Sequence, residues 1–231
     1  PTRAKIRSWH LAEKNGQIMV WHHPEGGEPL WELPDLPEVG HEDWSDDIRR
    51  SWKIKTRNQE MAENAVDAPH FHYVHGASNM PDPVATFEGH TMRVISGTGM
   101  ETPRGGVEGK VESMSYAFGF AYIRFTGIVE TLLINSVTPI DEEYVDVRFS
   151  FRVKKMMDAD ITKGVGKAFV AEVTRQLEED IPIWENKRYV HPPLLCDGDG
   201  PIGRFRKWCK QFYVEDGEVE PKGRLHSIEA A

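Results

Sequence analysis

The sequence predicts an α+β domain in which an antiparallel sheet packs against one long helix near the C-terminus. Segments rich in β-branched and aromatic residues follow one another from about residue 83 to 155, separated by clusters of Gly, Pro, Asn and Asp. The longest helix candidate, residues 160–188, follows the last of these segments. A succession of strands followed by a long helix favours a helix laid on a sheet.

The N-terminal third has strong local signals. Residues 3–23 are predicted to form a β-hairpin, because Asn15-Gly16 is a favoured two-residue turn between apolar segments. Residues 24–48, rich in Pro, Gly and acidic side chains, are expected to form an irregular connector. Residues 56–68 are predicted to be helical, since they contain few helix breakers before Pro69.

The middle of the chain is predicted to supply the sheet. Five predicted strands are Val84–Phe87, Met92–Ile95, Tyr116–Ile123, Ile128–Leu133 and Tyr144–Phe149. Aromatic residues of this region are compatible with either a ligand cavity or an ordinary core; they are Phe118, Phe120, Tyr122 and Phe125. In the long helix, one apolar stripe at helical spacing consists of Phe169, Val173, Leu177 and Trp184.

Composition limits the classes of function. The chain has 231 residues and a formal net charge of -9, so a nucleic-acid partner is not expected, because phosphate binding needs a cluster of Lys and Arg. No apolar run reaches the roughly 18 residues needed to span a bilayer, and the polar start does not resemble a signal peptide. Two isolated cysteines, Cys196 and Cys209, make a reducing cytoplasm the expected location.

A histidine cluster is the strongest chemical signal. His70, His72 and His75 lie within six residues and follow Asp67, a combination that suits an imidazole site for iron or zinc. On an ideal helix His70 and His75 would point about 140° apart, at about 100° per residue. Pro69 is expected to loosen the helix so that both rings converge, with His72 supporting them or facing away. The alternative is a set of polar groups on a helix face.

A carboxylate in the long helix is the candidate third ligand. Two histidines and one carboxylate leave coordination positions open on ferrous iron. Asp180 projects from the same stripe as Leu177 and Trp184, whereas Glu178 points away and Glu179 lies on the flank. A carboxylate on a buried stripe is costly unless it is paired or metal-bound. A buried salt bridge or a helix-end hydrogen bond is therefore the alternative for Asp180.

Two motifs in the sequence resemble those of a known family. Glu63-Asn64-x-x-Asp67-x-x-His70-Phe71-x-x-x-His75 resembles the mononuclear-iron motif of Rieske non-haem iron oxygenases. The C-terminal run from Glu179-Asp180-x-x-Ile183-Trp184 to Gln211-Phe212-Tyr213 resembles the oxygenase component of 3-ketosteroid 9α-hydroxylase and the cholesterol 7-desaturases. The resemblance extends from about residue 3 to residue 213.

The resemblance implies a fold and a division of the chain. The fold would be a helix-grip, START-like domain whose curved antiparallel sheet is wrapped on the long C-terminal helix. Residues 1–23 would be strands that follow a missing Rieske domain. Residues 24–213 would form the catalytic domain, and residues 214–231 a polar C-terminal tail.

The resemblance also implies a chemistry. His70, His75 and Asp180 would bind mononuclear Fe²⁺, and Asp67 would be the electron-transfer bridge to a neighbouring subunit of a homotrimer. The reactants would be O₂ and a small apolar, steroid-like substrate, with electrons from a reductase or ferredoxin. Substrate-binding residues are not assigned.

One departure from the family pattern concerns the [2Fe-2S] cluster. A Rieske cluster needs two cysteine–histidine pairs, and neither Cys196 nor Cys209 is part of such a pair. The sequence therefore predicts that the cluster belongs to a preceding domain of the intact protein, or that a natural protein has lost it. The rival functions are a metal-free lipid- or sterol-binding module of the same fold and a structural zinc site.

Overall fold

The computed structural model describes residues 4, 6, 8–77, 82–102, 105–127 and 129–213. The predicted polar tail lies outside this range, as does part of the predicted N-terminal segment. The strands in the described part of the chain are β1 (His10–Lys14), β2 (Gln17–Trp21), β3 (Ile48–Ile54), β4 (Val84–Glu88), β5 (Thr91–Thr102), β6 (Gly105–Tyr116), β7 (Phe120–Thr126), β8 (Thr131–Pro139) and β9 (Val145–Val153). The helices are α1 (Asn58–Glu63), α2 (Ala68–Tyr73), α3 (Ala159–Asn186) and α4 (Ile202–Cys209), with short 3₁₀ turns at Asn64–Val66 and Lys210–Phe212.

The strands form a hairpin and one large sheet. The predicted hairpin is present as β1 and β2, and its turn residues Asn15 and Gly16 have φ angles of 55° and 74°. Positive φ at both positions is typical of the tight turns that match the twist of a hairpin. The large sheet has the order β3-β9-β8-β7-β6-β5-β4, and every neighbouring pair is antiparallel. The α+β prediction is therefore confirmed.

The long helix covers one face of this sheet. The predicted stripe is confirmed, because Leu177 and Trp184 are buried against the sheet while Phe169 and Val173 pack beside them. The strands contribute a cluster of apolar side chains that includes Phe151, which has no exposed surface. Burial of this stripe holds α3, and with it residue 180, at a fixed position on the sheet.

Two smaller clusters complete the packing. Phe205 and Trp208 of α4 are fully buried against β4 and β5. The second cluster is formed by Leu36, in the connector between β2 and β3, which packs against Leu132 and Ile134 of β8. No helix in the described ranges combines the length and the apolar character needed to cross a membrane.

The predicted strand Tyr116–Ile123 is wrong as a continuous strand. Strand β6 ends at Tyr116 and β7 begins at Phe120, with a turn between them in which Ala117 has a φ of 49°. Strands β3 and β6 and helix α4 were not predicted from the sequence. The strand predicted over Ile128–Leu133 begins at Thr131 and extends to Pro139, with residue 128 outside the described chain.

The aromatic residues of this region do not line one common cavity. Phe118 lies in the turn and contacts Trp208, whereas Phe125 contacts Phe169 of α3. Phe120 packs with Leu36 on the opposite face of the sheet. Because these side chains divide among separate clusters, the structure supports their role as core residues.

Candidate metal centre

The local fold of the histidine segment begins with a break at Asp67. This residue is extended, with φ −90° and ψ 93°, so the chain leaves the 3₁₀ turn that ends at Val66. Helix α2 then starts at Ala68 with Pro69 in its first turn. Proline suits that position because the first helical N–H groups have no partner within the helix. Pro69 therefore lies in the first turn of the histidine helix. The expected loosening near Pro69 is present as the break at Asp67, but this break precedes both histidines, so the expectation that it makes their rings converge is wrong.

A wide turn at the end of α2 brings the two histidines together. The N–H of His75 donates to the carbonyl of His70, 3.3 Å away, and the N–H of Ala77 donates to the carbonyl of Phe71 at 2.9 Å. Gly76 follows with a φ of 69°. The hydrogen bond from His75 to His70 joins residues five apart, as in a π-type turn, which is common at functional sites, and the one from Ala77 to Phe71 joins residues six apart. Such a turn places residues five apart on one side, which a regular α-helix does not.

Helix α3 brings the carboxylate to the same place. One ligand atom from each of His70, His75 and Asp180 lies within 4.8 Å of the other two. Nε2 of His75, two residues beyond the end of α2, lies 3.3 Å from Oδ1 of Asp180 in α3. His70 is 8% exposed and Asp180 is 5% exposed, so the cluster lies beneath the surface. The structure thus brings together the three residues that the sequence singled out as metal ligands.

Each histidine is oriented through its other ring nitrogen. The Nδ1–H of His70 donates to the backbone carbonyl of Asp67 in a short contact. The Nδ1 of His75 lies 3.0 Å from Oε2 of Glu179. Both acceptors favour the tautomer that carries its proton on Nδ1, which leaves the Nε2 lone pairs for the centre of the cluster.

The carboxylate ligand is oriented as well. Oδ2 of Asp180 accepts a hydrogen bond of 3.0 Å from the side-chain amide of Asn64. Oδ1 is therefore the oxygen that faces His75. The roles of Asn64 and Glu179 in orienting the candidate ligands were not predicted from the sequence. The signals were present, because Asn64 is part of the motif that contains His70 and Glu179 is adjacent to the candidate ligand.

The donor set fits a metal ion. Nε2 of His70 is buried and has no hydrogen-bond partner in the described part of the chain. Burial also lowers the pKa of His70, which favours the neutral imidazole that a metal requires. At His75 burial acts to lower the pKa, but hydrogen bonds to Asp180 and Glu179 outweigh it and raise the pKa. A proton and a metal cation therefore compete for Nε2 of His75.

Asp67 and His72 occupy different surroundings. The half-buried side chain of Asp67 lines a cavity of about 80 Å³ that also borders His70 and Asp180, and burial raises the pKa of its carboxyl group. It contacts His70 through its backbone carbonyl. His72 is exposed, and its Nδ1 lies 2.7 Å from the carbonyl of Ala77. His72 therefore lies outside the candidate ligand set.

A buried ion network connects the helices around the centre. Glu63 of α1 accepts hydrogen bonds from Lys187, which follows α3, and from Arg206 of α4, at 2.7–2.9 Å. Lys187 also pairs with Glu60 at 2.7 Å. The network joins α1, the end of α3 and α4, so it supports the position of the turn that carries Asp180.

The cysteines do not form a cluster site. Cys209 is 1% exposed and packs in the core cluster of α4, whereas Cys196 is exposed. The sequence has no third cysteine. The residues of this chain therefore do not fit a [2Fe-2S] cluster, which needs two cysteines and two histidines in paired motifs.

Solved structures share this fold. An NdmA QL mutant of Pseudomonas putida CBB5, solved with caffeine, matches with a TM-score of 0.69 and 17% identity over 91% of this chain and 62% of its own. Dicamba monooxygenase bound to dicamba matches with a TM-score of 0.65 and 14% identity, over 88% of this chain and 69% of its own. The chain therefore has the same fold as the matched parts of these two proteins.

Sequence comparison assigns the chain to one protein family. The chain belongs to the family of 3-ketosteroid 9alpha-hydroxylase C-terminal domains, whose model matches residues 20–213. A 3-ketosteroid-9-alpha-monooxygenase oxygenase component of Rhodococcus rhodochrous is 32% identical over 96% of this chain and 62% of its own length. A cholesterol 7-desaturase of Caenorhabditis elegans is 27% identical over 94% of this chain and 56% of its own. The chain thus spans about three fifths of the length of these relatives.

Proposed function

We propose that this chain is the mononuclear-iron catalytic domain of an oxygenase that activates O₂. The proposal is supported by the cluster of His70, His75 and Asp180, whose potential ligand atoms lie close together beneath the surface. Within this cluster, Nε2 of His70 has no hydrogen-bond partner in the described chain. A buried polar atom without a partner is costly, and a bound cation would satisfy it. Two histidines and one carboxylate are the donors that oxygen-activating ferrous sites use.

Three residues of this chain would bind the ion and leave some of its coordination positions open. His70 and His75 would each supply Nε2, and Asp180 would supply Oδ1 while Asn64 holds Oδ2. Three protein ligands on one side leave other positions open, where ferrous iron supplies the redox chemistry with O₂. The burial of the three side chains would limit the access of bulk water to the reaction.

The substrate is proposed from the relatives. One relative is named for a 3-ketosteroid and another for cholesterol, and both names describe flat, apolar, polycyclic molecules. We infer a steroid-like substrate that is hydroxylated or desaturated. The aromatic residues of the strands are not assigned to its binding, because they pack in the core.

Electrons are proposed to come from outside this chain. The relatives are described as oxygenase components, which implies a separate reductase or ferredoxin. We also propose that the intact protein carries its [2Fe-2S] cluster in another domain and forms a homotrimer in a reducing cytoplasm. The electron-transfer role of Asp67 remains a prediction, supported by the position of its carboxyl group at the cavity beside His70.

Metal analysis tests the proposed centre. The protein should be purified without oxygen, loaded with ferrous iron, desalted and assayed for iron, beside His70→Ala and Asp180→Ala. We expect about one iron per wild-type chain and little in either variant, since each removes one of three protein ligands. His72→Ala is the matched control, because His72 lies on the same helix but is exposed, and it should retain iron.

Each outcome separates the rival functions. A wild-type chain that takes up no ferrous iron would support the metal-free lipid-binding module. Tight retention of zinc, without uptake of ferrous iron by the apoprotein, would support a structural zinc site. Equal iron in wild type and Asp180→Ala would contradict the assignment of the carboxylate ligand.

A further inference from the structure

We propose that Glu179 is a positioning residue that orients His75 toward the metal, and that Arg175 holds Glu179 in place. This inference rests on the proposed metal centre and concerns its support rather than its ligands. The two oxygens of Glu179 are divided between two partners. Oε2 lies 3.0 Å from Nδ1 of His75, and Oε1 accepts a short hydrogen bond from Nη1 of Arg175.

The contact decides which nitrogen of His75 faces the centre. A carboxylate can only accept a hydrogen bond from the ring, so it fixes the proton on Nδ1. The lone pair then lies on Nε2, which is 3.3 Å from Oδ1 of Asp180. A carboxylate in this position also raises the basicity of the imidazole and its strength as a ligand.

The two histidines are held by different kinds of acceptor. His70 donates to the backbone carbonyl of Asp67, a group that no side-chain substitution removes. His75 instead depends on a charged side chain that a single substitution can remove. The affinity of the site for a metal should therefore be sensitive to residue 179 and tolerant of a change in the side chain of residue 67.

A row of charges along α3 supports the carboxylate. Arg175 donates through Nε and Nη2 to the two oxygens of Glu172, at 3.0 and 2.6 Å, and through Nη1 to Glu179. These residues are spaced three and four apart, so they share one face of the helix. The row is part-exposed, with side-chain exposures of 40% for Glu172, 47% for Arg175 and 35% for Glu179. Arg175 limits the directions in which Glu179 can turn.

The adjacent residue provides a matched control. Glu178 carries the same side chain on the same turn of α3, but its Oε1 accepts a hydrogen bond of 3.3 Å from Nε1 of Trp52. It is exposed, and no hydrogen bond or ion pair joins it to either histidine in the described part of the chain. Loss of negative charge from this part of the helix can therefore be separated from loss of the contact to His75.

The test is the binding of ferrous iron to the whole chain. Calorimetric titration without oxygen should compare wild type, Glu179→Ala, Glu179→Gln and Glu178→Gln. We expect Glu179→Ala to bind about 10- to 100-fold more weakly, the usual effect of losing the partner of a ligating histidine. Glu179→Gln keeps an oxygen acceptor without the charge and should be intermediate, whereas Glu178→Gln should match the wild type.

A spectroscopic measurement distinguishes positioning from general stability. In protein loaded with cobalt(II), the visible absorption bands report ligand geometry, and they should shift in Glu179→Ala but not in Glu178→Gln. Arg175→Ala should weaken iron binding by no more than about fivefold, the upper range for an exposed ion pair. Melting curves of the metal-free proteins should be similar. If Glu179→Ala does not fold, the comparison of Glu179→Gln with Glu178→Gln carries the same test.

Two results would overturn the proposal, and they differ in what else they affect. If wild type binds iron and both Glu179 variants bind it equally well with unchanged cobalt(II) bands, only the positioning role is lost. If wild type binds no iron, the proposed metal centre is lost with it. Equal weakening in Glu178→Gln and Glu179→Gln would assign the effect to helix charge and would also refute the specific contact.

Discussion

Glu63→Gln tests whether the buried ion network stabilises the fold around the metal centre. The carboxylate is 5% exposed on its side chain and accepts hydrogen bonds from Lys187 at 2.8 Å and from Arg206 at 2.7 and 2.9 Å. Glutamine keeps the shape of the side chain but loses the charge. Lys187 and Arg206 would therefore lose the carboxylate that both of them contact. Glu112 of β6 offers a matched control, because it pairs with Arg93 of β5 and Lys110 of β6, whose side chains are 44% and 46% exposed.

The expected cost follows from burial. Removing one partner of a buried ion pair costs about 3–5 kcal/mol of unfolding free energy. Lys187 is 30% exposed and keeps Glu60 at 2.7 Å, so the lower end, about 3 kcal/mol, is expected. For a domain of this size about 3 kcal/mol lowers the melting temperature by about 6–12 °C. Glu112→Gln, at an exposed pair, should cost less than about 1 kcal/mol.

Acid should reduce the difference between wild type and Glu63→Gln. Burial acts to raise the pKa of Glu63, but hydrogen bonds from Arg206 and Lys187 outweigh it and lower the pKa below its ordinary 4.5. A lowered pKa in the folded state contributes stability above the ordinary pKa, and this stability is lost as the pH falls through the folded value. Urea melts at neutral pH and at several acidic values measure both effects. Equal stability of wild type and Glu63→Gln at neutral pH would refute the reasoning.

Three other substitutions or modifications test separate parts of the account. Asp67→Asn should leave iron uptake unchanged, because the backbone carbonyl of residue 67 holds His70; lost iron would show that the carboxylate itself supports the site. A thiol-specific disulfide reagent should modify Cys196 rapidly and Cys209 only after unfolding, because burial of Cys209 restricts access and raises the pKa of its thiol. Rapid modification of both cysteines in the folded protein would contradict this expectation. Phe151→Ala should lower the free energy of unfolding by about 3–5 kcal/mol in urea melts, since its side chain is fully buried against the α3 cluster. A loss below about 1 kcal/mol would show that this cluster adds little to the fold.

The parts of the fold that were predicted have local causes. Asn15 and Gly16 readily adopt positive φ, so the hairpin turn is visible in two letters of sequence. The long helix is visible because its apolar stripe repeats at the helical period and reaches the sheet through Leu177 and Trp184. In both cases neighbouring residues contain the information that determines the structure.

The turn between β6 and β7 has no comparable local signal. Ala117 adopts a left-handed conformation in a segment of aromatic residues that is typical of a strand. Its N–H donates to the carbonyl of His90, and the carbonyl of Gly119 accepts from Val137, at 2.9 and 3.0 Å. Hydrogen bonds from distant segments hold this turn, so its position depends on tertiary structure that the local sequence does not show.

The candidate site shows the same division. Asp180 could be chosen over Glu178 and Glu179 because the helical stripe faces the core. The way in which His70 and His75 converge could not be predicted, since it depends on a wide turn closed by hydrogen bonds at the end of α2. The partnership of Glu179 with His75 was also missed, because it joins α3 to the turn after α2, and the rest of the fold sets how these two segments pack.

The central claim is that this chain holds ferrous iron with positions open to a diatomic ligand. Nitric oxide binds such a centre in place of O₂, so the direct measurement is the electron paramagnetic resonance spectrum of iron-loaded protein after exposure to nitric oxide. We expect a half-integer-spin iron–nitrosyl signal in wild type and in His72→Ala, and its loss in His75→Ala. Iron-loaded wild type that gives no such signal would contradict the account.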